Sequence, residues 1–256
     1  PASNAPCADS TTPESGAHPS KPQRGQGFGG CSWGGVANVG CQNPRFGVQN
    51  GRCYSVMRTC HHSARMHEFG HNLGLLHADT TNEYRDHSAV MGAGYRDLVS
   101  FGAPSRQYIG WTRPEDEYDP TQRSSGSATL LNLNTRPSGG RYNMLRWNCA
   151  SCRTCTTSAW GQGEKCYTGG HVVASFRVPT GMDADLEASM SNKILLHHQR
   201  GTGTSEGTFR IAALAPTQSQ TLDDGRTVYF CSFSGDAAVV AWSASGGANT
   251  ARSACG

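Results

Sequence analysis

The sequence predicts an α+β protein, in which a helix-containing region is followed by a β-rich, antiparallel sandwich-like C-terminal region. A helical pattern occupies about residues 59–73, and a second short helix is expected within 98–110. Beyond these helices, short β-like runs alternate with turn residues, as at Asp224-Gly225. The runs are 128–133, 141–147, 171–178, 193–198, 208–214, 226–233 and 237–243. Several short strands at this spacing are typical of an antiparallel sandwich.

The chain of 256 residues is long enough for one large or two modest domains. Residues 1–29 are rich in Ser, Thr, Pro and Gly, which predicts an extended arm without a packed core. We expect a first domain at 30–115 and a β-rich domain at 116–256, with a linker near 111–127. The chain starts at Pro1 without an initiator methionine, as a processed form or a fragment would.

The predicted first helix ends near Gly74, because glycine adopts the left-handed backbone conformation without steric cost. Its apolar positions are spaced to cover one side of the helix, which we expect to face a sheet. These positions are Cys60, Ala64, Phe69 and Leu73.

Residues 67–77 of this helix and its exit read H-E-F-G-H-N-L-G-L-L-H. His67 and His71 are four residues apart, so they lie on one face of a helix and their imidazoles can bind the same ion. The turn at Gly74 would bring His77 back as a third ligand. Three protein ligands and one open position are typical of a catalytic zinc site, so we expect Zn²⁺ as the cofactor.

Glu68 lies beside the expected ligands, where its carboxylate could accept the proton of a zinc-bound water. Met91, in S-A-V-M-G, follows His77 by fourteen positions. The eleven-residue motif with a later Met-containing turn is typical of metzincin peptidases. We therefore predict a metzincin-like zinc peptidase core with ligands His67, His71 and His77, the catalytic residue Glu68 and the structural Met-turn residue Met91.

Three other residues are candidates for a role at the metal. Tyr95 follows the Met turn and could be an extra ligand or oxyanion donor, but an ordinary, partly buried loop tyrosine is the favoured interpretation. His197 and His198 lack partners at ligand spacing, so we expect them to be surface residues.

Composition and charge exclude two classes of partner. The net charge is +3 with a pI near 8.4, and like charges are not clustered, which argues against binding to nucleic acid or to a membrane surface. The sequence contains no apolar run of the roughly 18–20 residues that a membrane span requires.

The chain contains 11 cysteines, a density that favours disulfides in an oxidising compartment. An alternative is a second zinc site formed by the four thiolates of Cys149, Cys152, Cys155 and Cys166. Because the number of cysteines is odd, one of them could join the chain to an assembly partner.

Several segments resemble the corresponding stretches of the gametolysin family, the secreted lysins of green algae. They are C-S-W-G-G-V-A-N-V-G-C (31–41), the zinc motif through Ala78, N-E-Y-R-D-H-S-A-V-M-G (82–92), F-G-A-P-S-R-Q-Y-I-G-W (101–111), V-A-S-F-R-V-P-T-G-M-D-A-D-L (173–186) and N-K-I-L-L-H-H (192–198). The resemblance implies a secreted zinc endopeptidase whose substrates are hydroxyproline-rich glycoproteins of the cell wall or extracellular matrix. It assigns zinc binding to His67, His71 and His77, catalysis to Glu68 and the Met turn to Met91.

A different class of function is a structural or interaction component of an extracellular assembly, with an inactive metzincin-like core. The intact Glu68 favours the enzyme, because a scaffold has no chemical need for a base beside the metal. The short upstream region, 66 residues before His67, and the odd cysteine count favour the alternative.

Overall fold

The computed structural model describes residues 35–40, 55–57, 61–93, 99–158, 161–200 and 206–256. Within these ranges the α-helices are α1 (His62–Asn72), α2 (Val90–Ala93), α3 (Ala103–Tyr108) and α4 (Gly247–Ser253), and 3₁₀ turns occupy Pro114–Asp116, Pro120–Gln122 and Gly181–Asp183. The strands are β1 (Gly35–Ala37), β2 (Ser55–Met57), β3 (Leu75–Asp79), β4 (Glu117–Tyr118), β5 (Ser125–Leu131), β6 (Met144–Asn148), β7 (Arg153–Thr157), β8 (Glu164–Thr168), β9 (His171–Arg177), β10 (Lys193–Gln199), β11 (Glu206–Leu214), β12 (Ser219–Thr221), β13 (Thr227–Ser234) and β14 (Ala237–Ser243).

The predicted elements of the second half are confirmed. Strands β5, β6, β9, β10, β11, β13 and β14 correspond in order to the seven predicted runs, and α3 lies within the predicted 98–110. The predicted linker at 111–127 is wrong. Its residues form two 3₁₀ turns, strand β4 and the start of β5. Pro114 and Pro120 each begin one of the two turns, which is a position that proline favours in a helix.

The larger sheet has six strands in the order β3-β11-β10-β9-β6-β4. β3 is parallel to β11 and β4 is parallel to β6, whereas β11, β10, β9 and β6 pair antiparallel. The sheet is therefore mixed and not purely antiparallel. In this sheet β3, which carries His77, pairs with β11, more than a hundred residues later in the chain. The predicted domain boundary at 115/116 would therefore assign strands of one continuous sheet to two domains. The division into domains stays a prediction.

A second sheet of four antiparallel strands, in the order β12-β13-β14-β5, packs on the first. One apolar core lies between them, and its large members come from both sheets: Leu130, Leu145, Trp147, Phe176, Ile194, Leu196, Phe230, Val240 and Trp242. These side chains are at most 4 % exposed, so the alternation of buried and outward residues along the strands places one face of each sheet in the core.

Helix α1 matches the sequence expectation only in part, since Ala64 is fully buried as predicted and Cys60 lies outside the described residues. Phe69 and Leu73, predicted to face a sheet, are 46 % and 36 % exposed. The buried face carries His67, Glu68 and His71 instead. The polar side of this helix is turned inward because its side chains form the site, and apolar spacing alone could not reveal this. The prediction for Gly74 is confirmed, since its φ is +92°.

The six cysteines of the described ranges form the disulfides Cys149–Cys152, Cys155–Cys166 and Cys231–Cys255. The prediction of disulfides is confirmed. The four-thiolate zinc site is wrong, because its sulfurs are consumed in two of these bonds. The other five cysteines lie outside the described residues.

His197 and His198 are buried rather than exposed, so their prediction as surface residues is wrong. His197 Nε2 donates to Asp86 Oδ2 at 2.8 Å. His198 accepts from Thr154 Oγ1 at 2.8 Å and donates to the Gly169 carbonyl at 2.5 Å. Both lie in β10, the centre of the larger sheet, and strand pairing carries them into the interior.

A buried ion pair fastens this sheet to the loop that precedes α2. The Arg177 guanidinium, 1 % exposed, binds both carboxylate oxygens of Asp183 and donates to the Ser88 carbonyl at 2.5 Å. Asp183 also accepts from the Ser100 backbone N–H at 2.8 Å.

Among the described residues, no helix has the length and apolarity needed to cross a membrane.

We expect Arg177→Met to lower the free energy of unfolding by about 3–5 kcal/mol, because it leaves the Asp183 carboxylate buried without its partner. The matched control is Arg113→Met, which removes pairs with Glu115 and Asp116 in which the arginine is 43 % exposed, so it should lower the free energy of unfolding much less. Denaturant titration of both variants, with disulfides intact, measures the difference. Equal losses would show that the buried pair has no special role.

Candidate metal centre and active site

The structure brings the three predicted histidine ligands together. His67 and His71 lie one helical turn apart on α1, and the turn at Gly74 leads directly into β3, where His77 is the central residue. One ring nitrogen from each imidazole lies within 4.8 Å of the other two. A tetrahedral zinc ion with ligands at about 2.0–2.1 Å fits such a group.

Two of the imidazoles are oriented by backbone carbonyls. The Nδ1–H of His67 donates to the Val90 carbonyl at 2.9 Å, and that of His71 donates to the Leu75 carbonyl at 2.8 Å. These bonds set the tautomer and leave Nε2 of each ring with its lone pair free for a metal. The donor set therefore suits zinc.

The third imidazole is oriented by a carboxylate that sequence reasoning missed. His77 Nδ1 donates to Glu83 Oε1 at 2.9 Å. The second Glu83 oxygen accepts from Ser158 Oγ at 3.3 Å, and the Glu83 backbone N–H donates to the Thr157 carbonyl at 3.0 Å. A carboxylate paired with a metal-binding histidine raises the basicity of the ligand. No local signal marks Glu83, because the residues that hold it come from the end of β7.

Burial keeps the first two histidines neutral. Burial, with the neighbouring His71 ring, lowers the pKa of His67 to about 3. Burial and the nearby His77 ring lower the pKa of His71 to about 4. Only the neutral imidazole can bind a metal, so both residues are in their ligand form at any pH near neutrality.

Glu68, on the same helix, is 2 % exposed, and its Oε2 has no hydrogen-bond partner among the described residues. Burial raises the pKa of its carboxyl group to about 6. Strand β1 runs against this carboxylate, and a Cβ at Gly35 would overlap it. Glu68 thus shares the buried face of α1 with His67 and His71 and has one unpartnered carboxylate oxygen.

Met91 is fully buried on α2 and packs against α1 at Gly70. A Cβ at Gly70 would overlap the Met91 sulfur and approach the Phe101 ring to 2.9 Å. The glycine between the two helical histidines thus makes room for the methionine. The residue before it, Val90, carries the carbonyl that orients His67, so Met91 and the His67 acceptor belong to one packed unit.

Tyr84 is a second residue that the sequence did not reveal. Its ring centroid lies 3.7 Å from that of His77. Its φ of +61° is in the left-handed region, which is uncommon for a residue with a bulky side chain and often marks a functional segment. Tyr95, weighed above as an extra ligand, lies outside the described residues.

Comparison with protein-family models finds a match to the gametolysin peptidase M11 family over residues 24–213. The matched range includes every predicted site residue from His67 to Met91 and extends to the end of β11. No curated protein and no solved structure matches the chain.

We expect Glu83→Ala to weaken zinc binding by about 10- to 100-fold, because the His77 ring loses the acceptor that orients it. Competition with a chromogenic chelator measures the dissociation constant. Glu115→Ala, at an exposed glutamate that pairs only with Arg113 among the described residues, is the matched control and should bind zinc normally. A normal zinc affinity for Glu83→Ala would contradict the role given to this carboxylate.

The depressed histidine pKa values predict acid sensitivity of the metal-free protein. Between about pH 6.5 and pH 4 the unfolded chain protonates His67 and His71 while the folded chain does not, so the free energy of unfolding falls as the pH falls. Each histidine contributes a slope of up to about 1.4 kcal/mol per pH unit. The free energy of unfolding, measured by denaturant titration at several pH values, should change less steeply with pH for His67→Gln than for the wild type. His62→Gln, at an exposed histidine, is the control and should keep the wild-type pH dependence.

Proposed function

The chain belongs to the gametolysin peptidase M11 family, and from this membership we propose that it is a secreted zinc metalloendopeptidase of the metzincin type. The single observation that carries the proposal is the convergence of His67, His71 and His77, with Glu68 on the same buried face of α1 and one of its carboxylate oxygens unpartnered among the described residues. The metzincin-like core and the sandwich-like region after it are part of the same proposal.

His67, His71 and His77 would hold the metal, and their neutral rings leave its charge available to the fourth position. Held there, zinc would supply Lewis-acid chemistry for the scissile carbonyl and would lower the pKa of a bound water towards about 7. The Nδ1 bonds to Val90, Leu75 and Glu83 orient the three rings before a metal binds.

Glu68 would act as the general base and then as the general acid. Its carboxylate accepts the proton of the attacking water and afterwards donates it to the nitrogen of the leaving amine. A carboxyl pKa of about 6 suits both steps, because the group is ionised at neutral pH but is basic enough to take up a proton. Because the Glu68 carboxylate is buried between α1 and β1, bulk water has little access to it and does not compete for its hydrogen bonds.

We extend the proposal to the substrate and the compartment. The family resemblance supports hydroxyproline-rich glycoproteins of a cell wall or extracellular matrix as substrates. The three disulfides support an oxidising, extracellular compartment.

A second candidate is a structural or interaction component of an extracellular assembly, with an inactive core. One observation favours it. The 11 cysteines cannot all pair within the chain, so one thiol is available for a bond to another protein.

We expect Glu68→Gln to retain stoichiometric zinc and to lower kcat on a proline-rich glycoprotein by at least about 100-fold, because the base is removed while the ligands remain. His71→Ala should lose both zinc and activity. Metal content by atomic absorption and cleavage followed by electrophoresis, with and without a zinc chelator, provide the measurements. Glu115→Gln serves as the control and should resemble wild type.

Near-normal cleavage by Glu68→Gln would contradict the role of Glu68 as general base. Wild-type protein with zinc bound that cleaves none of several glycoproteins or peptides would favour the structural candidate. Non-reducing electrophoresis of the native material then tests for a disulfide-linked partner.

A further inference from the structure

A cavity of about 670 Å³ lies directly beside the proposed metal centre. His77 and Glu83 form one side of it, strand β8 with Lys165 and Tyr167 forms another, and Arg200 lies just after β10. Because a metal ligand is part of the wall, a chain bound at the metal would pass this cavity. Neither the histidine motif nor the proposed reaction gives it a role.

The cavity contains hydrogen-bond donors that are buried and unpaired. Thr156 is 3 % exposed, lines the cavity, and its hydroxyl has no partner among the described residues. Arg200 is 8 % exposed, and its Nε and Nη1 likewise have none there. Its Nη2 donates to Asp79 at 2.6 Å, and the Tyr167 ring lies 4.2 Å from the guanidinium carbon.

The acidic groups of the cavity already have partners. Asp79 faces Arg200, and Glu83 accepts hydrogen bonds from His77 and Ser158. Lys165 is exposed at the cavity wall, and no described residue forms an ion pair with its ammonium group. Among the charged side chains that line the cavity, Lys165 is therefore the one without an ion-pair partner among the described residues, and the uncompensated charge is positive.

We propose that this cavity is a specificity subsite that binds an acidic side chain, Asp or Glu, of the substrate peptide close to the scissile bond. Lys165 provides the accessible positive charge, while Arg200 and Thr156 provide the buried donors. The inference rests on the proposed peptidase function, since it identifies which peptides that site prefers.

An acidic side chain suits these groups better than an apolar one. The donors of Thr156 and Arg200 are already buried without partners among the described residues, so a side chain that accepts hydrogen bonds from them gains free energy that an apolar side chain cannot gain. A neutral amide such as Gln could accept hydrogen bonds but gains nothing from the charge of Lys165. The Glu and Gln versions of one peptide therefore isolate the charge contribution.

The test scans a fluorogenic peptide, placing Glu or Gln at one position at a time within three residues of the scissile bond. At one position we expect kcat/KM to be about tenfold higher for Glu than for Gln, and the ratio should shrink as the salt concentration rises. Binding of the same pair to the zinc-loaded Glu68→Gln protein, measured by fluorescence anisotropy, should show a similar ratio of dissociation constants.

Two variants with the same charge change locate the effect. Lys165→Glu should lower the Glu-to-Gln ratio below one, because the wall then repels the substrate carboxylate. Lys193→Glu is the matched control and should keep the wild-type ratio. Lys193 begins β10, at the opposite end from Arg200 and about 20 Å away along the strand.

The outcomes separate this inference from the proposed function. If wild type cleaves both peptides equally at every position and Lys165→Glu changes nothing, the subsite is wrong and the peptidase stands. If zinc-loaded wild type cleaves neither peptide but binds the Glu version preferentially, the subsite stands and the peptidase fails. Equal binding of both versions at every position also overturns the subsite.

Discussion

The proposed centre depends on the hydrogen bond that each histidine makes through Nδ1. Without these bonds, the three imidazoles, whose ring centroids lie 4.8–5.5 Å apart, would be free to rotate, and no common point would be defined for their other nitrogens. The acceptors come from three places: the carbonyl that follows α1, the carbonyl before Met91, and the side chain of Glu83. Each acceptor is held by a different part of the fold, so the orientation of the three rings depends on all of these parts.

The later half of the chain supplies much of that support. Arg177, in β9, binds the Ser88 carbonyl, and His197, in β10, binds Asp86. Burial raises the pKa of Asp86, but His197, Arg210 and Ser88 outweigh this and hold it well below the ordinary value, so the carboxylate stays ionised in the interior. These bonds clamp the segment that leads to Met91. The hairpin of β7 and β8, closed by Cys155–Cys166, holds Glu83 in the same way.

Prediction from the sequence succeeded where the pattern is local. Seven strands, the left-handed Gly74 and the use of cysteines in disulfides follow from alternation, turn chemistry and composition, and the structure has all of them. Prediction failed where a tertiary contact reverses a local preference. The exposed Phe69 and the buried His197 and His198 are examples, because strand pairing and the inward turn of α1 decide their environment. The roles assigned to the residues of the metal site are predictions, and the variants proposed above test them.

The sequence by itself determined the identity of the candidate ligands and base, because four-residue spacing on a helix and a glycine exit are local geometry. It also determined the family, through segments that extend well beyond the motif. Only the tertiary structure revealed Glu83, Tyr84 and the cavity with Lys165 and Arg200. Glu83 lies only six residues after His77, but its position depends on Ser158, 75 residues further along the chain, and Lys165 and Arg200 reach this region through strand pairing. Contacts at such distances depend on which strands pair, and no local pattern in the chain encodes that choice.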